Sequence, residues 1–233
     1  MKNVTVKFSE FPKKISIETI VDSNRNEHRV ELETLESMDA AIDVLCEKLK
    51  PKTPEEEQKL FDLCPYFGMI WPSAKGLSQY LVKHFCNTLS GASVLELGCG
   101  LALPSILAAK LGAKVTALDY HPDVREFLAS NLKRNKLDSV RYFECDWQNP
   151  ENLLAKSEEK FDFVIGSDIL YERRHIEPVA RSFAHFSHPQ SKIILADPGR
   201  GYLQGAVDEL KRLGFKDKQM VVENGVFVIE LER

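Results

Sequence analysis

The chain has 233 residues, 43% apolar and 28% charged, with a formal net charge of −4. That length fits one domain with a small addition, and the negative balance disfavours a broad electrostatic grip on duplex nucleic acid. No run is apolar enough to cross a bilayer and MKNVTVKFSEFPKK holds no signal-peptide core, while five cysteines without a C-x-x-C pair argue against a zinc site or disulfides and for a cytoplasmic protein.

In chain order, VTVKF and KISIETIV alternate like strands, with Asn24 and Asn26 among the turn residues after them. SMDAAIDVLCEKLK reads as a helix with Ser37 as N-cap, and Pro51 follows its end. TPEEEQKLFDLC has a helix start: Thr53 as N-cap, Pro54 at the first helical position and glutamates in the first turn. Residues 1–70 are expected to form a cap or substrate-side extension, and 71–233 the main domain.

From Leu77, apolar positions fall at helical spacing through Tyr80, Leu81 and Phe85. Strands are then predicted at 93–97, 114–119, 140–144, 162–168 and 192–196. Helices are predicted at 103–111, 121–135, 175–186 and 203–213. Such alternation means βαβ units and a mainly parallel sheet covered on both faces. KQMVVENGVFVIELER ends the chain with two strand-like runs around Asn224-Gly225, a strong hairpin signal. The expected fold is α/β, a Rossmann-like three-layer sandwich whose seven-stranded sheet ends in an antiparallel hairpin.

The loop Glu96-Leu97-Gly98-Cys99-Gly100-Leu101-Ala102-Leu103-Pro104 joins the first of these strands to a helix. Gly98 and Gly100 remove side chains that would keep a ligand off the backbone. The dinucleotide fingerprint needs a third glycine where Leu103 stands. A carboxylate at Glu96 repels phosphates and suits a ligand carrying an amino group and a sulfonium. Asp119 ends the next strand, where a carboxylate can accept both ribose hydroxyls. Asp168 also ends a strand at the sheet edge where ligands bind, and Tyr171 is three residues on. Arg200, in the DPGRG turn, would either contact an acidic substrate or be solvated. Taken alone, Trp71 and Trp147 read as packing residues, Asn131 as a structural hydrogen-bonder and Cys99 as a small residue the loop tolerates.

Together these segments resemble the class I, seven-β-strand S-adenosylmethionine-dependent methyltransferases over roughly residues 75–233. Within that class the sequence resembles the protein-lysine methyltransferase branch with an acidic-x-x-Tyr motif. IWPSAKGLSQYL is similar to its Trp-containing segment before the first strand, NLKRN to its N-x-x-x-N helix and ECDW to its Asp-Trp segment. GSDILYE carries the acidic-x-x-Tyr motif as Asp168 to Tyr171, and LADPGRGYL is also similar to a segment of that branch. Ala102 departs from the common third loop glycine, and residues 1–70 match nothing in it.

The resemblance implies S-adenosyl-L-methionine as cofactor and S-adenosylhomocysteine as product. Gly98, Cys99 and Gly100 would lie at the methionine part with Glu96 nearby, and Asp119 at the ribose. Asp146 and Trp147 would lie at the adenine, with Trp71 and Ser167 as further contacts. Asp168 and Tyr171 would be the catalytic pair, Asp168 orienting an acceptor amine rather than acting automatically as a base. No metal is expected. The expected partner is a protein substrate, not a membrane or nucleic acid, and the expected state a monomer or weak dimer. A small-molecule or RNA N-methyltransferase and a non-catalytic cofactor-binding module are the alternatives.

Overall fold

The computed structural model describes residues 10–57, 64–138, 140–146 and 158–233. Strands β1 (Lys13–Val21) and β2 (Glu27–Leu35) form an antiparallel hairpin of their own, followed by helix α1 (Met38–Leu49). Next come α2 (Pro72–Phe85), β3 (Ser93–Leu97), α3 (Leu103–Lys110), β4 (Lys114–Asp119), α4 (Val124–Arg134) and β5 (Arg141–Glu144). The chain continues through β6 (Phe161–Ser167), α5 (Ile176–Phe186), β7 (Ser187–Asp197), α6 (Leu203–Arg212), β8 (Lys216–Glu223) and β9 (Val226–Glu232).

Strands β3 to β9 make one seven-stranded sheet in the order β5-β4-β3-β6-β7-β9-β8. Neighbours from β5 to β7 are parallel, and β9 runs antiparallel to both β7 and β8. The chain moves outward from β3 to β5 and then returns to β6 on the other side of β3. That reversal opens a crevice at the carboxyl ends of β3 and β6, where open α/β sheets bind ligands.

Alternate residues of each strand feed two cores, because successive side chains point to opposite faces. Val94, Phe163, Ile165 and Ile194 meet Leu77, Tyr80 and Leu81 of α2 and Ala108 of α3. Leu95, Val164, Ile193 and Leu195 meet Val179 and Phe183 of α5 and Ala206 and Leu210 of α6. Strands buried on both faces read as nearly continuous apolar runs, which is why they stood out in the sequence. The terminal hairpin turns at Asn224 (φ 50°) and Gly225 (φ 79°), both left-handed as a two-residue type I′ turn requires.

Two expectations need correcting. KISIETIV does form a strand, but EHRVELETL pairs with it as β2 and carried no strand assignment. β7 begins at Ser187, five residues before the predicted start at Lys192, and extends the sheet under polar residues. VTVKF lies outside the described residues. Ser37 caps α1 by accepting from the Ala40 amide at 3.1 Å, and Thr53 caps a helical turn over 54–57 through the Glu56 amide at 3.3 Å.

The N-terminal hairpin lies outside the helices. Ile20, Val30 and Leu32 pack on Val82 of α2 and on Leu103, Ile106 and Leu107 of α3. Its β2 edge is closed by two amides from α4 rather than by a strand. Asn131 accepts from the Glu33 N–H (2.6 Å) and donates to its carbonyl (3.4 Å). Asn135 does the same for Glu31, at 3.1 and 2.7 Å. Residues four apart share a helix face, and residues two apart share a strand edge, so the N-x-x-x-N spacing matches the strand repeat.

Candidate active site

A cleft of about 970 Å³ opens at the carboxyl ends of the strands. Its floor is the glycine loop. Gly98, Gly100 and Ala102 alternate in the left-handed region, with φ of 64°, 50° and 60°. A side chain at Gly100 would also place its Cβ 3.1 Å from the Phe67 carbonyl. The third position therefore needs a left-handed backbone, and alanine meets that need at some cost in strain.

Glu96 does not face the cleft. It is fully buried behind the loop, and its Oε2 accepts from the Ser105 N–H at 3.0 Å, in the first turn of α3. Oε1 has no hydrogen-bond partner among the described residues. Burial pushes its pKa up to about 8, opposed by the bonds from Ser105 and assisted by the charge of Asp119. The expectation that Glu96 meets a cationic ligand is corrected: its carboxyl occupies the helix end where a phosphate would dock. A dinucleotide is disfavoured for a sharper reason than the missing glycine at Leu103.

Asp119 is buried at the end of β4. Its Oδ2 accepts from the Gly100 N–H (2.8 Å) and its Oδ1 from the His121 N–H (3.1 Å). Burial raises its pKa against those bonds. Each carboxylate oxygen can accept more than one donor, so both remain usable by a diol. Cys99 lines the cleft, and burial holds its thiol well above the usual range, so it is a packing group there. Trp71 stands at the start of α2, half-exposed, with Nε1 donating to the Tyr66 carbonyl at 2.9 Å. Ser167 and Asp146 also line the cleft, whereas Trp147 lies outside the described residues.

Asp168 follows β6 at φ 58°, with its amide bonded to Ala196 of β7 at 3.0 Å. Its Oδ1 pairs with Arg200 Nη1 at 2.6 Å. Tyr171 is half-exposed at the same cleft, its ring 4.3 Å from that of His175 in a T-shaped contact. Burial raises the Tyr171 pKa, and the field of Tyr120 and a hydrogen bond between the two phenols raise it further, so its hydroxyl stays protonated.

The structure thus brings Trp71, Gly98, Cys99, Gly100, Asp119, Asp146, Ser167, Asp168 and Tyr171 around one cleft. It adds Tyr120, His121 and Phe67, which sequence reasoning did not place there, and it puts Arg200, left open between a substrate contact and a solvated residue, on the cleft wall. Tyr120 and His121 follow Asp119 directly, so the strand-end rule that found Asp119 also points to them. Phe67 carries no such signal.

Fold and cleft together define a Rossmann-like methyltransferase architecture. Magnesium protoporphyrin IX methyltransferase of Synechocystis PCC 6803, solved with bound SAM, superposes with a TM-score of 0.56 at 17% identity, over 78% of this chain and 85% of that one. SMU.776, a putative methyltransferase complexed with SAH, gives a TM-score of 0.58 at 14% identity, over 70% and 50%. A family model described as lysine methyltransferase matches residues 65–204, and the chain belongs to that family. It is 37% identical over 118 residues to histone-arginine methyltransferase METTL23 of Xenopus laevis, covering 50% of each chain. It is 35% identical over 136 residues to protein N-lysine methyltransferase METTL21A of Xenopus tropicalis, covering 55% of this chain and 59% of that one. The chain thus spans about half the length of the curated relatives it matches.

Proposed function

We propose that the chain is an S-adenosylmethionine-dependent methyltransferase that N-methylates a lysine of a protein substrate. One observation carries the reading: a single cleft joins the glycine loop and Asp119 to Asp168 and Tyr171. The residues suit the cofactor. The loop brings bare backbone to the cleft, Asp119 offers buried acceptor oxygens to a ribose, and Trp71, Asp146 and Ser167 flank it. Glu96 acts from behind, bracing the loop against α3. The family resemblance assigns Trp147 to the adenine.

When bound, the cofactor supplies an electrophilic methyl group on a sulfonium. The chain's part is to position an acceptor lone pair, and positioning can supply much of the acceleration. Asp168 accepts an N–H from the acceptor and turns its lone pair toward the methyl. Tyr171, a protonated phenol, walls the acceptor pocket and donates to it. The hairpin of β1 and β2 caps α2 and α3, the helix that leads out of the glycine loop. The protein works in the cytoplasm as a monomer or weak dimer.

The names of the relatives divide between arginine and lysine acceptors. Lysine is favoured because the acceptor meets Asp168 with Arg200 already beside it. A guanidinium keeps its proton and offers no free lone pair, whereas an ammonium can lose its proton and then attack. The test is transfer of a radiolabelled methyl group into a lysate, with amino-acid analysis of the labelled band. Methyl-lysine is the expected product. Methyl-arginine, or label confined to small molecules or RNA, overturns the acceptor assignment. Calorimetry with S-adenosylhomocysteine checks the cofactor separately, and NAD binding in its place would sink the class.

A further inference from the structure

We propose that Arg200 is a positioning residue for methyl transfer: it fixes the Asp168 carboxylate and offsets its charge, so that an acceptor lysine bound there can shed its proton. The inference rests on the reading of the site as a lysine methyltransferase.

Arg200 is held by the turn that follows β7. Asp197, fully buried at the end of that strand, accepts from the Gly199 N–H (2.8 Å) and the Arg200 N–H (2.7 Å) through Oδ1. Its Oδ2 then accepts from Arg200 Nη1 at 3.0 Å, the same nitrogen that reaches Asp168 Oδ1 at 2.6 Å. One guanidinium nitrogen therefore bridges two strand-end carboxylates from neighbouring parallel strands. Asp168 keeps Oδ2 buried and without a partner among the described residues. A buried carboxylate oxygen without a donor is costly, so it awaits a donor from outside the chain.

Charge gives the arrangement its purpose. A bare carboxylate stabilises a neighbouring ammonium and raises its pKa, which opposes attack by the neutral amine. An arginine on the same carboxylate offsets that field and leaves its hydrogen-bonding capacity. The offset is partial, because buried Asp197 shares the same guanidinium nitrogen and Asp146 adds a further carboxylate to the cleft lining. Glu172 is paired with Arg174 at 2.8 Å, and Tyr171 and Tyr120 are phenols bonded to one another. Asp119 is tied to the loop amide of Gly100 and to His121.

The acceptor protein labelled by the wild-type chain, purified from the lysate, serves as the probe. With Arg200→Gln, kcat at pH 7 is expected to fall roughly tenfold, and the rising limb of the pH–kcat profile to move up by about one pH unit. Activity should recover toward pH 9–10. Because one nitrogen makes both contacts, Arg200→Lys should restore most of the wild-type profile. Calorimetry on protein saturated with S-adenosylhomocysteine should show Arg200→Gln binding the acceptor at least as tightly as wild type. An unmoved profile, a loss equal at every pH that lysine does not rescue, or weakened acceptor binding overturns the proposal. Failure of the functional reading is visible separately, since the wild-type chain would then label no lysine.

Discussion

Asp168 sits at φ 58°, where a β-carbon crowds the following carbonyl at a cost of roughly 1–2 kcal/mol. Asp and Asn tolerate that region better than most residues. The strain ends β6 at Ser167 and lifts the next side chain to the cleft, where Arg200 takes one oxygen. Asp168→Asn keeps the shape and the backbone preference but replaces one acceptor oxygen with a donor. Transfer is expected to fall about 10²-fold or more, the scale of a misplaced nucleophile, with S-adenosylhomocysteine affinity unchanged by calorimetry. Asp168→Ala should lose transfer equally and melt lower, because alanine is less at ease at that φ. Wild-type turnover in either variant would remove Asp168 from the mechanism. Asp168 and Tyr171 were legible in the sequence because one short motif holds both. The Asp168–Arg200 pair was not, because the two residues are 32 positions apart and meet only through the pairing of β6 with β7.

The elements followed the sequence wherever burial is two-sided. β3, β4, β6 and β9 declared themselves through apolar runs, and Asn224-Gly225 marked the turn that joins β9 to the exposed β8. β2 did not, because its exposed face reads Glu27, Arg29, Glu31 and Glu33, residues that suit a helix surface as well as a strand. Its strand character comes from outside, from β1 on one edge and the α4 amides on the other. Asn131 is fully buried, so Asn131→Ala would leave the Glu33 N–H and carbonyl without the partners they have now. A loss of about 1–3 kcal/mol in urea unfolding is expected, with faster hydrogen exchange at the Glu33 amide than in wild type. Asn131→Leu should be no better, since filling the space does not bond the backbone. Stability within error of wild type would show that water satisfies the β2 edge. Because β2 packs on α3 through Val30 and Leu32, loosening it should also weaken S-adenosylhomocysteine binding.

At the scale of the whole molecule, the ends of β3 and β4 and the turn after β4 gather acids whose charged forms the fold disfavours. Burial raises Glu96 to about 8 and Asp123 to about 6, and Asp119 moves in the same direction. Each binds its proton more tightly folded than unfolded. The stability these three acids contribute is then greatest at acid pH, and falls as pH rises from the unfolded value toward the folded one. For Glu96 that window runs from about 4.5 to about 8. Glu96→Gln isolates its share, because the amide keeps an acceptor for the Ser105 N–H and carries no charge. Comparing the two proteins cancels the histidines and the other acids. The gap in unfolding free energy between Glu96→Gln and wild type should widen by about 1.4 kcal/mol from pH 6 to pH 7, the slope for one proton. It should level off above pH 8. A constant gap would mean that Glu96 is ionised throughout. The α3 helix end would then hold a carboxylate in place of a neutral acid, and the loop would be braced by charge rather than by a hydrogen bond between neutral groups.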